Sequence, residues 1–319
     1  MQRVVASLIA CYARGAMTFP DIRRVGAAGA LAFSIGVAML PAARGADSLG
    51  SVTVEAQRDR EKLKKGIEKF VRTAVIRPRT DDSLLRWDHA VCPLVAGLDR
   101  DAGEFFLQRF SDNARAAKVP LAPPDCKPDL FIIVTSEPAR FLTLWWKRSP
   151  RLFNTHFGIA PVKRFIEVDR PVRVWYNAVL SNADGGPLIG GILDGSAASG
   201  MTDLPTNQIP NSLGSRIRLP VVRNTQSAIL VIDAKAVRAL NIGQLVDYVT
   251  MLALLELDLD KNLGEVPSIL TLFRNPASPP AEMTPWDKAL LKALYTTPQG
   301  TRVQLSQMET AMLGELTGR

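Results

Sequence analysis

The 319-residue sequence predicts an α+β protein. Three observations carry that prediction. A β–α–β pattern runs from Arg86 to Thr135. Two further extended stretches follow, at Pro171–Leu180 and around Ile217–Asp233. From Val237 onward, apolar residues recur at helical spacing. With 47% hydrophobic and 22% charged residues, the chain has an ordinary globular composition and can bury a core without staples.

The first 45 residues read as a secretory signal peptide. Arg23 and Arg24 give a positive start, Val25 to Leu40 an apolar run rich in Ala and Gly, and Ala43-Arg44-Gly45 a small-x-small cleavage site. The run is short for a membrane span, although an uncleaved anchor would use the same residues. A start at Met17 would give the signal more usual proportions. Leu8-Ile9-Ala10-Cys11 has the form of a lipoprotein box without the apolar run that should precede it. Arg23-Arg24 lacks the flanks of a twin-arginine signal. The expected mature product is one exported α+β domain, periplasmic or secreted, spanning 46–319. Within it, 46–235 reads as a mixed lobe and 236–319 as a helical lobe. Residues 46–319 hold 34 Lys and Arg against 30 Asp and Glu, a net +4 rather than the +8 of the whole chain. That mild charge does not argue for a nucleic-acid partner. Cys92 and Cys126 make an even pair in an exported chain and read as one disulfide, two buried thiols being the alternative.

The elements follow in order. Val52 to Arg58 resembles the N-terminal stretch of TonB-dependent receptors; its plainer reading is a β-like lead into a helix. Arg58–Thr73 is a charged helix with Leu63, Ile67, Phe70 and Val71 on one face. Val75–Arg79 is a short extended piece. Arg86 to Val95 reads as a strand closed by Gly97, and Ala102–Lys118 as an amphipathic helix presenting Phe105, Phe106, Arg109 and Phe110. Pro120–Pro128 is a loop carrying Cys126, before the apolar, β-branched strand Leu130–Thr135. Pro138–Phe153 is helical. Its Trp145-Trp146-Lys147-Arg148 and Arg151 form either a basic-aromatic face for an anionic surface or, as preferred here, core tryptophans beneath solvated charges. Asn182–Gly200 is a glycine-rich loop without the Lys-Ser/Thr of a phosphate loop or a G-x-S-x-G elbow. Ile217–Val222 and Ser227–Asp233 read as a strand pair around Arg223-Asn224-Thr225-Gln226.

The C-terminal third has a recognisable order: Val246-Asp247-Tyr248-Val249-Thr250-Met251 on an apolar helix, then Pro267-Ser268-Ile269-Leu270, Met283-Thr284-Pro285-Trp286-Asp287, and Leu290 to Tyr295. Across residues 215–295 it resembles the scaffold of zincin-type metalloproteases. That resemblance implies a mixed sheet with packed helices, a helical C-terminal lobe, and a groove beneath an edge strand suited to an extended peptide. In that family, H-E-x-x-H places two histidines one turn apart on a zinc ion, with the Glu activating water. Here those positions hold Asp247, Tyr248 and Met251, and Asp258 stands near the expected third ligand. A lone carboxylate and a thioether make a poor zinc site. The motif around Thr284 and Asp287 also has a simpler account as an N-cap and its N3 partner. Asp258, Asp260 and Asn262, with Glu256 just before them, match the start of an EF-hand loop, but Leu263 and Ile269 stand at the Gly and terminal Glu positions.

The expectation is therefore a non-catalytic binding protein on a protease-like scaffold, with no zinc, catalytic group or cofactor assigned. Its partner would be an extended peptide or an envelope protein. Two other readings remain open. One is a hydrolase using Ser196 or Ser199, or His156 with Asp169. The other is an accessory to a TonB-type receptor. His89 and His156 are the only histidines, so either hydrolase would draw on one of them.

Overall fold

The computed structural model describes residues 48–76, 83–153, 159–182, 219, 221–264, 266–274 and 278–318, with side chains from Gln57 onward. The fold is mixed α+β. Its elements are α1 (Ser48–Ala74), β1 (Pro93–Ala96), α2 (Arg100–Ala116), β2 (Leu130–Thr135), α3 (Pro138–Arg148), α4 (Ala160–Glu167), β3 (Val172–Asn182), β4 (Val221–Asp233), α5 (Ile242–Leu254), α6 (Pro285–Thr296) and α7 (Gln304–Thr317). Short 3-10 turns cover Pro150–Leu152 and Ile269–Thr271.

The sheet order is β1-β2-β4-β3. The first three strands run parallel, and β3 lies antiparallel at the edge beside β4. Alternation along each strand serves two faces. Leu130, Ile132 and Val134 of β2, with Ala228, Leu230 and Ile232 of β4, face α1, α2, α5, α6 and α7. Phe131, Ile133, Ile229 and Val231 face the thinner layer of α3 and α4. Covering both faces explains why these strands are apolar throughout instead of half polar. The larger core joins residues from both sides of position 235, from Ile67 and Phe106 to Leu245 and Leu290.

Helix α5 lies almost wholly inside that core, so its ends must be satisfied by protein groups. At the N-terminus, Asn241 accepts from Gly243 N–H at 2.7 Å, and Gln244 accepts from Asn241 N–H at 3.1 Å, closing a capping box. At the C-terminus three aromatic side chains supply donors. The Tyr176 hydroxyl bonds the Leu252 and Leu255 carbonyls, the Trp87 indole donates to Ala253 O at 2.9 Å, and the Tyr295 hydroxyl donates to Leu254 O at 2.8 Å. Burial raises the pKa of both phenols, keeping them protonated as donors.

Several elements differ from the sequence expectation, each for a physical reason. Helix α1 begins at Ser48 and takes in Val52–Arg58, because extending a formed helix costs far less than nucleating one and outweighs β-branched preference. The strand read from Arg86 shrinks to Pro93–Ala96, with isolated bridges at Arg86 and Val91. Trp87 is committed to α5, and His89 turns to Asp88 and Asp129. Residues 223–226 are strand, not turn: β4 is continuous because Arg223 pairs with Glu256 at 2.9 Å and Asn224 bonds Ser181 and Gln299. Helix α3 stops at Arg148, ahead of Pro150, which lacks an N–H. Helix α4 was not anticipated, and the region from Val237 forms turns before α5 starts at Ile242.

Cys92 and Cys126 form a disulfide with Cα atoms 6.0 Å apart, consistent with an exported protein. It ties the entry of β1 to the loop before β2. Asp129 reinforces the same corner by accepting Cys92 N–H at 2.8 Å. Among the described residues no helix is long and apolar enough to cross a membrane. The Cys92→Ser/Cys126→Ser double variant should lose about 3–4 kcal/mol of stability, the chain-entropy value for a 34-residue separation. Chemical denaturation of both proteins measures it.

Candidate functional site

The three positions aligned with the zincin metal motif do not converge. Asp247 is fully buried and turns toward α2. It accepts from Arg109 Nε and Nη2, both at 2.7 Å, from Asn113 Nδ2 at 2.8 Å and from the Met283 N–H at 2.7 Å. The bond to Asp247 is also the main cause raising the Arg109 pKa. Met251, one turn on, is buried among core side chains. Tyr248, rotated about 100° from Asp247 on the helix, faces elsewhere. Asp247 is thus a strut between α5, α2 and the lead into α6.

A second buried carboxylate explains the other motif segments. Asp287 Oδ1 accepts from Ser268 Oγ at 2.5 Å, and Oδ2 from Ile269 N–H at 2.8 Å and Thr284 N–H at 2.9 Å. Thr284 and Asp287 close the capping box of α6, as the capping account expects. The same Asp287 latches Pro267–Leu270 onto that cap. Burial pushes the Asp287 carboxyl above its ordinary range, and its hydrogen bonds offset this only in part.

The acidic run after α5 is divided among separate tasks. Glu256 pairs with Arg223, and Asp258 Oδ1 accepts the Asp260 N–H at 3.1 Å. Asp260 pairs with Arg170, and Asn262 accepts the Gly264 N–H at 2.9 Å. Among the described residues, no group of three or more His, Cys, Asp or Glu is placed to hold a metal ion. His89 lies between Asp88 at 2.8 Å and Asp129 at 3.2 Å, beside the disulfide. Asp169 is exposed two residues past the end of α4. His156, Ser196 and Ser199 fall outside the described residues, as does the whole proposed signal segment.

What the fold does assemble is an edge with a pocket at its entry. The Asp233 N–H donates to the Pro171 carbonyl at 2.8 Å, which fixes the phase of the β3–β4 ladder. Antiparallel alternation then turns the N–H and C=O groups of Val172, Val174 and Tyr176 away from β4, toward the open edge. Among the described residues no strand pairs with that edge. Where β3 begins, a pocket of about 120 Å³ is lined by residues that include Arg170, Val172, Tyr248, Asp258, Lys261 and Arg274. Tyr248 stacks edge-on against Phe273, their ring centroids 4.9 Å apart. Burial raises its phenol to about 12, against the opposing pull of Arg170 and Arg274. The walls therefore offer a protonated phenol, three cations and one carboxylate: hydrogen bonds and charge for a polar, partly anionic group.

The sequence singled out Tyr248 and Asp258 as failed metal positions. It missed Arg170, Lys261 and Arg274: Lys261 follows Asp258 by three residues, and Arg170 and Arg274 reach the pocket from other segments. Arg109 and Asn113 as partners of Asp247 had a usable signal: a carboxylate inside an apolar helix demands a donor, and these two lie one turn apart on α2.

The fold and site define a mixed α+β protein with an antiparallel edge strand that no described strand pairs with and a cation-lined pocket beside it. Comparison with protein-family models, curated proteins and solved structures finds no match to this chain.

Arg109→Met should cost about 3–5 kcal/mol, because Asp247 is left charged and buried; the shift in denaturation midpoint measures it. Asp287→Asn should cost about 1–2 kcal/mol: the amide oxygen keeps the Ile269 and Thr284 N–H groups, and the N–H₂ replaces the oxygen that accepts from Ser268 Oγ. It should also change the pH response. The raised native pKa means the folded state holds the proton more tightly than the unfolded chain. The contribution of this group is therefore full below the ordinary carboxylate value and is lost as pH rises through the native one. That slope should be absent from the stability–pH curve of Asp287→Asn.

Proposed function

We propose that this is an exported, non-catalytic binding protein on a zincin-like scaffold, and that its ligand is an extended peptide added to β3. The observation that carries the reading is the open edge, with the outward donors and acceptors of Val172, Val174 and Tyr176 beside a pocket built around Tyr248. Strand addition draws affinity from main-chain hydrogen bonds and specificity from neighbouring pockets. The cations at the entry favour a peptide with an acidic group there. The burial of Asp247 and Met251 in struts and core supports a binding role over metal chemistry at those positions. The disulfide supports export, and the apolar run of residues 25–40 supplies the address.

Selection of a displayed random-peptide library against the protein tests this. Binders should be extended and carry an acidic residue. N-methylating alternate peptide nitrogens, or Val174→Pro, should weaken them about tenfold or more. Proline removes an outward N–H and leaves the β4 ladder intact, which edge strands tolerate. Binders indifferent to both changes would refute strand addition. Stoichiometric zinc, with an activity lost on chelation, would refute the non-catalytic reading.

A further inference from the structure

The positive charge of residues 46–319 has one source. The 29 residues 138–166 contain six basic side chains and no acidic one. The rest of 46–319 holds 28 basic against 30 acidic residues. This segment builds α3 and α4, the layer over one sheet face. Its inner side is the aromatic cluster of Phe141, Trp145, Phe153 and Phe165. Its outer side carries the charge. Arg140, Leu144, Lys147, Arg148 and Arg151 recur at helical spacing on and just after α3, and Lys163 and Arg164 lie on α4; all are exposed. Arg140 pairs with Glu137 at 3.2 Å. Lys147, Arg148, Arg151, Lys163 and Arg164 form no ion pair among the described residues. The flanking carboxylates, Glu137 and Glu167, stand at the margins of the layer.

Two apolar side chains share this outer face: Leu144, 38% exposed, and Ile159, 54% exposed. A polyanion needs only the cations. A bilayer surface uses both, as anionic headgroups attract Lys and Arg while apolar side chains enter the headgroup–acyl boundary. We infer that the outer face of α3 and α4 is a docking surface for an anionic lipid bilayer, with Lys147, Arg148, Arg151, Lys163 and Arg164 reading the headgroups and Leu144 and Ile159 entering the interface. The face is built on different elements from the β3 edge and does not depend on the peptide reading.

Cosedimentation of the full chain with vesicles tests the surface. The wild type should bind mixed phosphatidylglycerol–phosphatidylcholine vesicles far more tightly than pure phosphatidylcholine, with binding falling as salt rises. The variant K147Q/R148Q/R151Q/K163Q/R164Q should lose at least about a hundredfold of that affinity. The variant L144S/I159S should lose on the order of tenfold on vesicles and nothing on heparin beads. Because every variant keeps the same N-terminal apolar run, differences between them report on this face alone. These side chains are exposed, so circular dichroism should show each variant folded. Equal sedimentation of the wild type and the five-Gln variant would overturn the inference. Heparin binding without vesicle binding would overturn it in favour of a polyanion.

Discussion

Burying a whole helix is the constraint on which the rest of this structure depends. Helix α5 has no solvent-facing side, so water cannot satisfy its terminal amides and carbonyls or its one carboxylate. Each must find a donor or acceptor elsewhere in the chain. Trp87 comes from before β1, Tyr176 from β3, Tyr295 from α6, and Arg109 with Asn113 from α2. The segments that satisfy α5 are the segments that pack on it. Hydrogen bonding and apolar burial therefore specify the same arrangement, the kind of agreement between levels that marks a well-determined fold.

The stretch leading into α6 shows the same logic at shorter range. The Met283 N–H is held by Asp247, and the next amide, of Thr284, by Asp287. Two buried carboxylates from different helices thus hold adjacent peptide units. The Pro267–Leu270 turn joins them through Ser268 and Ile269. This latch gives a physical reason for the order and spacing of the C-terminal motifs that requires no metal.

The sheet was legible where its signals were local. The apolar run Leu130–Thr135 and the alternation from Pro171 gave β2 and most of β3, and two cysteines gave the disulfide. The α+β class followed from the same cues. Long-range partners obscured the rest. Arg223 to Gln226 looks like a turn until Glu256, Ser181 and Gln299 are seen to engage its side chains within a strand. The aromatic stretch of α3 divides with Trp145 inward and its charges outward, as an amphipathic helix places a core face opposite a wet one. The pocket was illegible beyond Tyr248 and Asp258, since Arg170 and Arg274 come from segments that only the fold brings to Asp258 and Lys261.

The bulge in β4, opposite β3, has a metric consequence. Between Asn177 and Ala178 the pairing skips Gln226, and this extra residue bends the ladder there. Ahead of the shift, Val172–Asn177 offers six residues of regular edge, a length of about 20 Å. Beyond it β3 keeps the same alternation, because the extra residue is on β4, but the strand leaves the line of its first half. The irregularity thus sets apart a straight stretch of edge at the pocket end, and the bend beyond it disfavours indefinite pairing with other chains.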